Sequence, residues 1–113
     1  MSPDAFRSLA LALPDVVEGA HMGHADFRLG GKIFATLGSP DDDHAMVNLD
    51  PEQQEMLMAA EPAAFTPASG AWGRNGSTRL RLAAADVLTA RSALAMAHAR
   101  MAARLAAPKT RRR

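Results

Sequence analysis

The residues best suited to chemistry in this 113-residue chain are basic, and most of them come late. Arg79 and Arg81 alternate with Leu80 and Leu82, a two-residue period that sets both guanidiniums on one face of a strand and both leucines on the other. Arg28 takes the same kind of position in an earlier strand, while Lys32 and Arg74 fall beside glycine-rich turns that would carry them at loop tips. With Arg111, Arg112 and Arg113 at the C-terminus, these form the candidate nucleic-acid-binding set. Cations spread over an open sheet face and its loops neutralise phosphates, which gives salt-steep binding with little sequence preference. An ordinary solvated sheet face is the simpler account of the strand arginines. The charge count sharpens the question: residues 1–72 hold three Lys and Arg against eleven Asp and Glu, residues 73–113 ten against one. Such asymmetry suits an anionic partner; it also suits a fold whose halves neutralise each other, and the second is the expectation here.

A second constellation is His21, His24 and Asp26, with His44 or Asp41 to Asp43 nearby. Imidazole and carboxylate ligate divalent metals, and residues 24 and 26 project from the same strand face, so a metal-dependent enzyme is one reading. The spacing matches no known ligand signature, and surface histidines beside a solvated turn are the simpler explanation. Cysteine is absent, which excludes disulfides, thiolate nucleophiles and zinc–thiolate sites. Gly70 to Gly76, around the lone Trp72, lacks the lysine and following helix of a phosphate loop. We therefore expect no catalytic residue, no metal and no cofactor: a non-enzymatic protein. Trp72 is the candidate interface residue of an alternative reading, a protein-interaction or chaperone-like module that pairs with itself or another protein; a tryptophan plugging a small core is the bland version. His98 lies within an apolar helical stripe and reads as a satisfied core histidine.

The elements that must position these groups follow from local chemistry. Phe27 to Leu37 reads as a hairpin: Gly30-Gly31 supplies the two positive φ values of a tight turn, which would set Phe27 opposite Phe34 and send Arg28 to the other face. Ser2-Pro3-Asp4 opens a helix that Pro14 stops, giving residues 3–13. Ala25 to Leu29, Ile33 to Leu37 and Ala45 to Leu49 are strands, and Asp50-Pro51 opens a helix running to about Ala60 with Met56, Leu57 and Ala60 buried. Phe65 to Ala68, which contains Pro67, is a brief edge strand; Thr78 to Leu82 is the last strand. Residues 84–106 form a long helix whose stripe Val87, Leu88, Leu94, Ala95, Met101 and Leu105 faces the core, with Arg100 and Arg104 solvated. The fold class is α+β in two layers: an antiparallel sheet of about five strands, helices on one face, order α-β(3)-α-β(2)-α. Residues 1–107 make one domain, and 108–113 a basic tail expected to be disordered. No apolar run is long enough for a membrane span and the N-terminus has no signal-peptide pattern, so a cytoplasmic protein without membrane partners is expected.

Several landmarks resemble the MmcQ/YjbR-like proteins of bacteria. They are Leu13-Pro14 with Asp15 and Glu18, the run Phe27 to Ala35, Asn48-Leu49 before Pro51-Glu52, Phe65-Thr66-Pro67, Gly70-Ala71-Trp72-Gly73, Thr78 to Leu82, and Ala107-Pro108-Lys109. The resemblance covers nearly the whole chain. It implies a small α+β domain of the type shared with secretion chaperones and CyaY, and a DNA-binding role through a double-wing arrangement. The chain departs from that pattern in carrying His98 where relatives often have an aromatic residue, and in lacking a second tryptophan near Asn75-Gly76-Ser77.

Overall fold

Two tight turns, one at each end of the strand between them, fold the first part of the sheet into a meander. In this computed structural model, which describes residues 1–107, Gly30 and Gly31 take φ of +58° and +79° and join β2 (His24–Leu29) to β3 (Lys32–Leu37). Earlier in the chain Met22 and Gly23 do the same at +50° and +80°, joining β1 (Val17–His21) to β2. β1 is the strand that sequence reasoning missed. Its residues Val-Glu-Gly-Ala-His carry no alternation of apolar and polar groups, and none of the five is buried, so backbone pairing to β2 is what holds it.

The chain continues through β4 (His44–Asn48), α2 (Pro51–Ala60), β5 (Phe65–Pro67), α3 (Gly70–Arg74), β6 (Ser77–Arg81), a 3₁₀ turn at Leu82–Ala84, and α4 (Val87–Ala106); α1 (Pro3–Leu11) precedes the sheet. The strands of the described residues are all antiparallel, in the order β1-β2-β3-β4-β6-β5. Pro67 sits in the edge strand β5, where a missing N–H costs no ladder bond. The expected α+β class and antiparallel sheet stand. The strand count and order do not: β1 makes the sheet six-stranded, and α3 separates β5 from β6 where an unstructured glycine-rich loop was expected.

The hairpin register also differs from expectation. Phe27 lies opposite Ala35 and Arg28 opposite Ile33, so Phe34 is an extra residue on β3. This bulge turns Phe34 and Ala35 both toward the core, and Phe27 and Phe34 are fully buried without facing each other. Instead Phe27 meets Phe6 of α1 edge-on at 6.2 Å, and Phe34 meets His98 of α4 at 5.6 Å. His98 is hydrogen-bonded as expected, its Nε2 donating to the Pro14 carbonyl at 2.8 Å, but it is half-buried at the edge of the core rather than within it.

Helices cover one face. Ala45, Val47, Thr78 and Leu80, paired across β4 and β6, point into a core closed by Phe6, Leu57, Phe65, Leu94 and Met101. Asp50 caps α2 through a reciprocal box with Gln53, and Asp86 caps α4 by accepting from the Thr89 amide at 2.8 Å. The buried face of α2 is Gln54 and Leu57; Met56 and Ala60, expected inside, are exposed. In α4 the small residues Ala90, Ala93 and Ala97 are buried with Leu94 and Met101, whereas Val87, Leu88, Ala95 and Leu105 are exposed. Alanines let the helix approach the sheet closely, so the buried stripe follows size rather than hydropathy.

Candidate nucleic-acid interface

The open sheet face carries a row in register across the sheet: Gly19, Asp26, Thr36, Met46, Arg79 and Thr66. Asp26 is fully buried on that face because Arg28 lies over it, with Nε 2.7 Å from Oδ1 and Nη2 3.0 Å from Oδ2. His21 donates from Nδ1 to Oδ2 at 2.7 Å. A Cβ at Gly19 would stand 3.0 Å from both Arg28 Nε and Asp26 Oδ1, so the smallest residue makes room for the pair. The Arg28 hydrogen bonds outweigh burial and hold the Asp26 carboxyl below its ordinary range; His21 adds to them. Arg28 is thus committed to a carboxylate. Arg79 is also engaged, Nη2 donating to Ser69 Oγ at 2.8 Å while Nε is buried without a hydrogen-bond partner. Arg81, opposite His44, and Arg74, at the end of α3, are exposed. Arg111, Arg112 and Arg113 lie outside the described residues, as does the whole tail 108–113.

The histidines and aspartates do not assemble a metal site: among the described residues, no three His, Asp or Glu side chains gather closely enough to hold an ion. Asp26 is taken by Arg28 and His21. His44 pairs with Asp41 at 2.7 Å, a contact that, with the Asp43 amide, lowers the Asp41 carboxyl.

Charge neutralisation between the two halves, the expectation from the count, is not realised through ion pairs. Every ion pair among the described residues joins partners within residues 1–72: Arg7 with Asp4 and Glu18, Arg28 and His21 with Asp26, and His44 with Asp41. Among the described residues, the C-terminal cations make no ion pair, and Arg79 acts on the N-terminal half at longer range, its charge helping to lower the Asp41 carboxyl.

Two of them meet Lys32 in a cleft of about 390 Å³ at the end of the sheet. One wall is the last turns of α4, where Arg100, Met101, Arg104 and Leu105 fall on one side at i, i+1, i+4 and i+5. The floor is Ile33, Asn48, Leu49 and Ser77 from the adjoining strand ends, and the far wall is Trp72 with Asn75. Among the described residues, no carboxylate lines it. Asn48 is locked internally, its Nδ2 donating to the Ile33 carbonyl at 3.1 Å and its Oδ1 accepting from Ser77 Oγ at 3.1 Å. The hairpin is brought to α4 by a close fit, since a Cβ on Gly30 would stand 2.8 Å from Leu105 Cδ1. Trp72 is 75 % exposed, which overturns its reading as a core plug. Its helix is pinned from below: Gln54 Nε2, buried, reaches the Gly73 and Ser77 carbonyls at 3.0 Å each.

Of the expected site residues that lie among the described residues, the structure brings Lys32 and Trp72 into this cleft. Arg100 and Arg104, expected as a solvated helix face, form its cationic wall, and the available signal was a pair of arginines one turn apart. Asn75 carries no signal in the sequence; it enters the site because α3 places it beside Trp72.

The family model described as YjbR matches residues 11–98. The chain belongs to the YjbR family. This YjbR chain is also similar to the crystal structure of protein DR2400 of Deinococcus radiodurans, a DUF419 domain, with a TM-score of 0.76 at 18 % identity over 96 % of this chain and 83 % of that one. At that identity the likeness establishes the shared fold. No curated protein matches the YjbR chain closely. None of its described helices is long and apolar enough to cross a membrane.

Proposed function

We propose that this protein binds nucleic acid without catalysing a reaction on it, and that the cleft, rather than the open sheet face, is the centre of the contact. The observation that carries this reading is the composition of the cleft: Lys32, Arg100 and Arg104 converge with an exposed tryptophan and, among the described residues, no neutralising carboxylate. A phosphate backbone supplies the missing charge, and three contacts to it would give a log–log salt slope of roughly −2 to −3. Arg74 stands at the end of the helix that carries Trp72, and the sequence beyond Ala107 adds Lys109 and three arginines.

The test is fluorescence anisotropy of labelled oligonucleotides against protein stripped of nucleic acid, across a salt series. Arg100→Ala/Arg104→Ala weakens binding and flattens the slope by about 2, while Arg28→Ala leaves the slope unchanged. Absence of binding at low salt overturns the proposal. The exposure of Trp72 also suits a protein interface, and in that case sedimentation at high salt detects a dimer that Trp72→Ala abolishes.

A further inference from the structure

We infer that the cleft takes an unpaired nucleotide, its base stacked on Trp72 and its flanking phosphates held by Lys32, Arg100 and Arg104, so that single strands are preferred over duplex. This rests on the nucleic-acid reading above and specifies its ligand. Four features of the cleft carry it.

The volume, about 390 Å³, suits one nucleotide and is far too small for a duplex groove face. The lining is divided by chemistry: Trp72, Ile33 and Leu105 offer apolar surface above the buried Leu49 and Met101, and the three cations supply charge beside it. A base needs the first and its phosphates the second; a bare phosphate or a polyanionic duplex needs only the second. Trp72 is exposed, and the buried Gln54 holds the backbone of the helix that carries it, which fixes the place from which the indole is offered. Asn75, exposed on the Trp72 side of the cleft, carries an amide that can both donate to and accept from a base edge. In paired DNA the base faces are stacked and the Watson–Crick edges are paired, so a duplex reaches the cations but offers no free base face to Trp72.

Trp72 is the only tryptophan and the chain has no tyrosine, so its fluorescence reports the contact directly. Four ligands are compared with full-length protein at one salt concentration: a single strand of about 12 nucleotides, a length within the site sizes of single-strand-binding folds, its duplex, the same strand with abasic sites throughout, and inorganic phosphate. The expected result is quenching by the single strand alone, with affinity roughly tenfold above the duplex and the abasic strand. Read by the anisotropy of labelled strands, since it removes the only tryptophan, Trp72→Leu, at an exposed position and checked for folding by circular dichroism, loses that advantage on the intact strand and is neutral on the abasic one; Trp72→Phe retains part of it. Equal or tighter binding of duplex or abasic strand, with Trp72 unquenched, overturns this inference while leaving the proposed function standing. Failure of every polymer to bind overturns the proposed function as well.

Discussion

Arg28 and Asp26 form a two-point ion pair on the open sheet face, Nε to Oδ1 at 2.7 Å and Nη2 to Oδ2 at 3.0 Å, with the carboxylate fully buried beneath the guanidinium. A strand arginine that looks available for phosphate is therefore a structural group. It keeps a buried anion from standing alone, which is the condition under which such a pair persists.

Acid sensitivity follows from that pair. Arg28 holds the Asp26 carboxyl below its ordinary value of 3.8. The resulting stability is present in full above that unfolded value and is lost as pH falls through the lower native one. Asp41 and Asp86 are lowered too, by His44 and by the Thr89 amide respectively, so they share the direction. Urea denaturation of wild type and Asp26→Asn from about pH 7 to about pH 2 should show a gap in favour of wild type that narrows below about pH 4. A gap independent of pH would mean the pair contributes nothing through ionisation.

Removing Asp26 altogether should cost more than neutralising it. Asp26→Ala leaves a cavity and sets the partly exposed Arg28 and His21 loose from a common acceptor, a loss of roughly 1.5–3 kcal/mol in thermal or urea unfolding. Gly19→Ala presses on the same pair and should destabilise in the same direction.

Two glycines with positive φ should respond very differently to alanine. A methyl group added at Gly31, where φ is +79°, would meet open space, so Gly31→Ala costs only the backbone strain, about 1 kcal/mol. Gly76, at +111°, would drive a Cβ into the Leu49 carbonyl oxygen, backbone that cannot yield cheaply. Gly76→Ala should cost roughly 3 kcal/mol or more, read as a much larger drop in Tm.

Gln54 should act on the cleft without lining it. Its buried amide nitrogen serves the Gly73 and Ser77 carbonyls and lies 3.2 Å from Thr78 Oγ1. Gln54→Leu removes a buried donor from carbonyls that still accept from the Gly76 and Ala68 amides, at a cost of about 1 kcal/mol, and loosens the helix under Trp72. Oligonucleotide affinity should fall while the salt slope holds, because no cation is lost. An unchanged affinity would show that the platform does not depend on this anchor.

Most of the helices and strands and the Gly-Gly turn were legible in the sequence, because each depends on a few adjacent residues: Ser2-Pro3 and Asp50-Pro51 as caps, Gly30-Gly31 as a turn, Leu80 and Leu82 alternating with arginines. The family resemblance was legible for the same reason, since those signatures are contiguous. β1 was not, because its edge position leaves no buried side chains to mark it, and neither was the Phe34 bulge, which satisfies the core on α4 rather than across the hairpin. Above all, sequence could not tell which cations are committed. Arg28 and Arg81 look alike in an alternating strand, and only the packing of Asp26 beneath Arg28 separates them. The cleft is likewise a product of packing, because Lys32, Trp72, Arg100 and Arg104 come from three segments that meet only when the hairpin turn docks on Leu105 at the end of α4. Local chemistry writes elements into a sequence; the pairing of charges and the meeting of distant side chains depend on how those elements pack.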